Sequence, residues 1–253
     1  MRKYITCFLF SIVGMALNLS VHAKEPENLI HPSVKRAFNL APNVVLHYSI
    51  KAKQRGIPLG GESTWQWQAQ QQQYRINNEV RANLFGKIQE SKSEGQIDDY
   101  GLAPLQFTEK RFRKEPSTTQ FNAQSKQISF SEASLTYPIL GGEQDRSSVI
   151  WQLIATIRAS PKQMIPGGQW VFFVAGRRDA ETWVFKVVQQ ENILTPMGKL
   201  NSWHLIKLPP VDSKDQQLDI WLSPNLDWYP IRLRFSDADG DFVDQTLEKI
   251  EKQ

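Results

Sequence analysis

Cysteine is nearly missing from this sequence. Among 253 residues there is one, Cys7, and it lies inside an apolar N-terminal stretch. A disulfide framework and a cysteine-built metal site are thereby excluded. Long apolar runs are scarce as well. The mean hydropathy of −0.44 excludes a multi-span helical membrane protein. Charge of one sign does not accumulate, since 30 Lys and Arg against 26 Asp and Glu leave a net charge of only +4. The densest basic stretch, Lys110-Arg111-Phe112-Arg113-Lys114, is flanked by Glu109 and Glu115. That is no nucleic-acid footprint.

Catalytic signatures are missing too. The chain has no His-Glu-x-x-His, no Cys-x-x-Cys and no glycine-rich phosphate loop. Gly61-Glu62-Ser63-Thr64-Trp65 begins like a nucleophile elbow, but Trp65 stands where the second glycine belongs. His47 and His204 are far apart and carry no ligand spacing. Asp237, Asp239 and Asp241 suit a hairpin turn better than a calcium loop, because Gly240 is fourth in the run rather than sixth. No catalytic residue, metal site or cofactor is expected, and the protein reads as a non-enzyme.

Arg2 and Lys3, the apolar stretch from Ile5 to Leu19 and the small-residue pattern Val21-His22-Ala23 form an export signal with cleavage after Ala23. Cleavage removes two bases and no acid, so the charge falls from +4 to +2. Cys7 precedes the position of a lipid-modified cysteine. The expected location is the periplasm, with no transmembrane anchor after cleavage. Residues 24–42, with Pro26, Pro32 and Pro42, read as an irregular lead-in, and residues 43–253 as one β-rich domain.

Most of that domain has a period of two. Val44, Leu46, Tyr48 and Ile50 alternate with His47 and Ser49, and Trp65, Trp67 and Ala69 with Gln66 and Gln68. Gln70 to Gln73 reads as a hairpin tip leading into Tyr74-Arg75-Ile76. Further strands are expected over 85–93, 105–114, 118–123, 127–131, 170–175, 181–189, 203–208, 218–222 and 231–235; residues 242–250 suit a strand or a short helix. Only 145–158 has a helical period, with Ile150, Leu153, Ile154 and Ile157 on one stripe. Asp145 is placed to accept a bond from a free backbone N–H at its start, and Pro161 stops it. The spacing predicts a mainly β fold: a large curved antiparallel sheet, meandering and half-barrel-like, packed on one central helix.

Eight tryptophans are the strongest feature of what is present. In Trp170-Val171-Phe172-Phe173-Val174 both faces are apolar, so this strand should be covered on both sides. One helix cannot cover a sheet of ten or more strands, so the sheet must curl around an aromatic-lined concavity. Trp65, Trp67, Phe172, Trp183, Phe185 and Trp221 are the expected ligand-binding residues.

Several ordered segments carry a resemblance: Tyr100-Gly101-Leu102-Ala103-Pro104, Asp145-Arg146-Ser147-Ser148, Thr195-Pro196-Met197-Gly198, Ile220-Trp221-Leu222-Ser223-Pro224, Tyr229-Pro230-Ile231-Arg232-Leu233-Arg234-Phe235 and Asp239-Gly240-Asp241. Over most of residues 40–250 the chain resembles the exported bacterial domain-of-unknown-function family DUF3108. That resemblance implies a secreted or periplasmic β-rich domain and assigns no activity. The pattern also resembles, more weakly, the periplasmic lipoprotein carriers, whose curved sheets bind acyl chains. The expected function is a non-enzymatic periplasmic binding or carrier protein with an apolar site for lipid or an acylated ligand. The alternative is an envelope adaptor that binds a protein partner or cell-wall glycan. A glycan-cleaving enzyme is a third reading, which would need two carboxylates facing across a cleft.

Overall fold

The computed structural model describes residues 32–207 and 216–253. The expected signal segment and its cleavage point lie outside the described residues. Residues 32–43 have no regular structure. The chain then builds β1 (Val44–Gln54), β2 (Ile57–Gln70), β3 (Gln73–Ala82), β4 (Gly86–Asp98), β5 (Gly101–Arg111), β6 (Ser117–Asn122), β7 (Gln127–Phe130) and β8 (Ala133–Pro138). A two-residue strand β9 (Gln144–Asp145) precedes the helix α1 (Ser148–Ala159). After it come β10 (Gln169–Ala175), β11 (Ala180–Thr195), β12 (Gly198–Lys207), β13 (Gln217–Leu222), β14 (Pro230–Ser236) and β15 (Phe242–Lys252).

All fifteen strands lie in one sheet. The chain starts in its middle, runs outward hairpin by hairpin to β8, crosses over through α1 to the opposite edge, and returns until β15 pairs with β1. Every neighbouring pair is antiparallel except β9 with β10. The short turns follow from local chemistry. Gln71 and Gln72 both take positive φ, 50° and 66°, as a two-residue primed turn requires. Asp237 Oδ1 accepts the backbone N–H groups of Asp239 and Asp241, which closes the β14–β15 hairpin.

Two strand expectations run into a turn, one at its start and one at its end. Phe85 lies in the turn before Gly86 (φ 66°), and Phe112 lies beyond the end of β5. Apolar alternation alone does not mark where a hairpin turns. The stretch 242–250 is resolved as strand, since its Val243, Gln245 and Leu247 continue the ladder between β14 and β1.

Bulges bend the sheet. Register shifts occur at His47/Tyr48, Val80/Arg81, Glu94/Gly95, Val187/Gln189 and Trp221/Leu222. An extra residue on one strand sharpens the local twist. The sheet therefore curls far enough for its two ends to overlap. Phe172 faces the main core, whereas Phe173 packs with Phe107, Phe121, Ile128 and Phe130 of β5–β7. This is why β10 is apolar on both faces. The seam is also tied by Thr119 Oγ1 donating to the Gly176 carbonyl (2.6 Å) and by Arg178 with Glu132 (2.8 Å).

The helix was expected to bury one stripe. Instead every residue from Ser148 to Ile157 is buried, because the curled sheet and the lead-in segment together surround it. Trp151 stacks on Trp67 with ring centroids 4.9 Å apart and meets Tyr229 edge-on. The polar side of the helix is satisfied by the sheet backbone. Gln152 Oε1 accepts the Leu102 N–H (2.8 Å), and its Nε2 donates to the Tyr100 carbonyl (2.9 Å). Gly101 sits between them at φ 105°, where a Cβ would collide with the Gln152 amide. The lead-in closes the other side, with Asn39 N–H donating to the Ala155 carbonyl and Trp67 Nε1 to the Ala41 carbonyl.

Asp145 holds the start of the helix. It is fully buried, and its Oδ1 accepts the N–H groups of Ser147 (2.8 Å) and Ser148 (2.9 Å). Ser93 Oγ of β4 donates to its other oxygen at 2.5 Å. Burial pushes this carboxyl up to about 6, against the pull of those hydrogen bonds. Between its ordinary 3.8 and about 6 the folded state binds the extra proton. Its contribution to stability therefore falls as pH rises through that window. Asp145→Ala should lower the unfolding free energy by about 1–3 kcal/mol, since buried donors lose their acceptor. In Asp145→Asn one oxygen still accepts, so the loss should be smaller. Denaturant unfolding from pH 4 to 7 should show the wild-type chain losing stability relative to Asp145→Asn up to about pH 6. A flat difference would mean the carboxyl titrates normally.

Candidate functional site

A helix of 12 residues is about 18 Å long, whereas strands of 10–14 residues run about 33–46 Å. The helix therefore cannot fill the concavity from end to end. Beyond its N-terminus the sheet encloses a cavity of about 690 Å³. One wall is Ile50, Trp65, Val80 and Ile88; the other is Trp183, Leu218, Leu233 and Val243. Ile150, Ser147 and Arg146 form the floor. The mouth lies at the β1–β2, β3–β4 and β14–β15 turns, marked by Gln54, Ala82, Asp237 and Asp241.

Polar groups on the wall are mostly neutralised in place. Lys207 is only 6% exposed; its Nζ lies 3.4 Å from Glu181 and 4.7 Å from the Trp183 ring centre. Trp183 Nε1 donates to the same Glu181 oxygen at 2.6 Å. Glu109, also buried, pairs with Arg111 at 2.5 Å. Glu109 and Glu181 are thus held by cations, whereas Asp179 of the lining is exposed to solvent. Arg146 differs: among the described residues no acid pairs with its guanidinium, which lies over Gly176. Asn78 donates to Ser147 Oγ (3.3 Å), but its Oδ1 has no partner among the described residues. The floor therefore offers a free acceptor at Asn78, and the exposed Arg146 beside it offers a free cation.

The six expected ligand-binding residues separate into three groups. Trp65 and Trp183 line the cavity, 8% and 9% exposed. Trp67, Phe172 and Phe185 lie inside the core around α1 and do not reach the cavity. Trp221 is on the convex face, stacked on His204 at 4.4 Å with Arg232 over its other side. It is buried there because the β11–β12 hairpin, bent by its bulge, lays its tip across β13–β15; Glu191 accepts from Trp221 Nε1 at 2.7 Å. Sequence reading missed Arg146 and Asn78, whose only signal was a polar side chain beside the helix start.

Other candidates have structural partners. His204 Nε2 meets Asp219 at 2.7 Å. Ser63 lies in mid-strand, and its Oγ donates to Gln245 (2.5 Å). The Asp241 carboxylate accepts the Arg55 N–H. Among the described residues no three His, Asp or Glu side chains converge on a metal position, and no helix is long and apolar enough to cross a membrane.

The chain belongs to the family described as "Protein of unknown function (DUF3108)", whose model matches residues 46–248. No curated protein matches it. The fold is similar to a β-barrel-like protein of domain of unknown function DUF1849 from Brucella abortus (TM-score 0.57, 13% identity, 86% of this chain and 100% of that one). Two further similar structures have low scores. One is an exported protein with YmcC-like fold from Bacteroides fragilis (TM-score 0.39, 10% identity, covering 87% and 100%). The other is an outer membrane lipoprotein-sorting protein domain from Vibrio parahaemolyticus (TM-score 0.28, 6% identity, covering 84% and 86%).

The Lys207–Glu181 pair supports the cavity wall. Lys207→Met should destabilise the fold by about 1–3 kcal/mol, because Glu181 is left unpaired. Adding Glu181→Gln should restore part of that loss. Strict additivity of the two changes in denaturant unfolding would show that the pair is not coupled.

Proposed function

We propose that this protein is a non-enzymatic binding or carrier protein of the periplasm, exported with removal of residues 1–23. Its ligand is an amphiphile, a lipid or an acylated molecule. The observation that carries this reading is the cavity itself. Its volume of about 690 Å³ falls in the range of about 300–1,000 Å³ common for ligand pockets. Apolar walls suit a chain, with Trp65 and Trp183 as its aromatic contacts. Arg146 and Asn78 on the floor suit an anionic or hydrogen-bonding end group.

The adaptor reading is favoured by tryptophans spread over a flat, exposed face. None of the eight tryptophans is exposed: six are buried, and Trp203 and Trp228 are half-buried. Their distribution supports the cavity reading instead. A glycan-cleaving site needs two free carboxylates across a cleft. Here Glu109 and Glu181 are paired with Arg111 and Lys207.

Native mass spectrometry of the protein purified from its own periplasm should show an excess mass that organic extraction removes as lipid. Re-adding the extracted lipid should change tryptophan fluorescence. Trp65→Phe and Trp183→Phe should each reduce that change, whereas Trp221→Phe should leave it intact. A bare mass with no fluorescence response to lipid would overturn the proposal.

A further inference from the structure

Two turns at the cavity mouth and the adjacent β5–β6 turn expose large apolar side chains. Ile57 follows the β1–β2 turn and is 61% exposed; Leu84 and Phe85 on the β3–β4 turn are 81% and 60% exposed; Phe112 after β5 is 44% exposed. The Phe85 and Phe112 rings touch, with centroids 6.2 Å apart. Phe85 and Phe112 thus join the β3–β4 and β5–β6 tips into one apolar patch, with Ile57 on the neighbouring turn. Solvated turns ordinarily carry small polar residues, and clustered apolar tips mark an interaction surface.

Charge surrounds the patch. Lys53, Arg55, Lys110, Arg113 and Lys114 are exposed on the same turns and strand ends, and no ion pair forms at any of them among the described residues. The Arg113 guanidinium lies 4.9 Å from the Phe112 ring centre. Nearby acids are largely engaged. Glu79 holds Arg81 and Lys87, and Glu90 holds Lys87 and Lys92. Glu115 is the opposing charge on the β5–β6 turn. The acidic β14–β15 turn lies to one side, with Asp237 and Asp241 accepting backbone N–H groups.

We propose that the β1–β2, β3–β4 and β5–β6 turns are a docking face for an anionic lipid bilayer. Leu84, Phe85 and Phe112 enter the headgroup–acyl boundary while the surrounding lysines and arginines meet lipid phosphates. The apolar tips stand out from separate turns and line no groove, and the unpaired cations beside them complement anionic headgroups, which fits a deformable anionic bilayer better than an ordered protein surface. The inference does not depend on what fills the cavity, because adhesion is measured on protein stripped of ligand.

The test is flotation with phosphatidylethanolamine–phosphatidylglycerol vesicles and with phosphatidylcholine vesicles, at low and physiological ionic strength. The wild-type protein should float with the anionic vesicles, and less so as salt screens the contact. A triple variant, Leu84→Asp, Phe85→Asp and Phe112→Asp, should bind at least about tenfold more weakly. A second triple variant, Lys110→Gln, Arg113→Gln and Lys114→Gln, should lose about tenfold or more and most of the salt dependence. All six side chains are exposed, so unchanged thermal unfolding should confirm folding, and the single variant Leu84→Asp serves if the triple one fails. No flotation with any vesicle, equal flotation with phosphatidylcholine, or binding unchanged in the variants would overturn the proposal. Adhesion seen only when vesicles carry envelope proteins would also overturn it and assign the tips to a protein receptor.

Discussion

A wide antiparallel sheet with one apolar face has no stable form in water until that face is covered, and here one short helix covers its middle while the curl of the sheet covers the rest. The sheet curls because its bulges bend it, and it closes on α1 because Trp151, Leu153, Ile154 and Ile157 supply the apolar surface it needs. The orientation of the helix rests on polar contacts made in the same interior. Asp145 ties its first N–H groups to Ser93 of β4, and Gln152 takes the place of a neighbouring strand for the backbone of β5. Buried polar contacts of this kind are costly to leave unmade, so they select one position among many that apolar packing would tolerate.

The cavity follows from the same constraint. Helix and strands differ in length, and the space beyond the helix start is left to side chains from both halves of the sheet. Its buried wall charges, Glu109 and Lys207, are paired within the wall, which leaves the wall's interior apolar. The unpaired Arg146 lies where the chain leaves β9 for the helix, so the segment that orients α1 also sets the polar end of the cavity. Fold and site are thus coupled through residues 145–148.

Much of this architecture was legible in the chain. Alternating apolar residues in Val44–Ile50 and Trp65–Ala69 placed inward faces correctly, and the two-faced apolar run at Trp170–Val174 foretold a strand covered on both sides. The site was less legible. Trp65, Trp67, Phe172, Trp183, Phe185 and Trp221 look alike as aromatic strand residues, yet two line the cavity, three fill the core and one is capped on the convex face. Aromatic alternation reports that a side chain is buried, and it carries no information about which body buries it. Arg146 and Asn78 had no periodic signal at all.

Local chemistry by itself determined the class of fold, the single helix with Asp145 at its start and the hairpin turns, because each depends on residues close along the chain. That the sheet must curl was legible too, from one helix set against ten or more strands; the extent of the curl, the overlap of its ends, the all-round burial of the helix and the position of the cavity were decided only by tertiary structure. They depend on strands far apart in sequence, such as β4 with β9 and β5 with β10, and on bulges whose position no apolar pattern marks. The same holds for the apolar tips: Phe85 and Phe112 read as strand residues, and only the folded chain shows them meeting at the rim of the mouth.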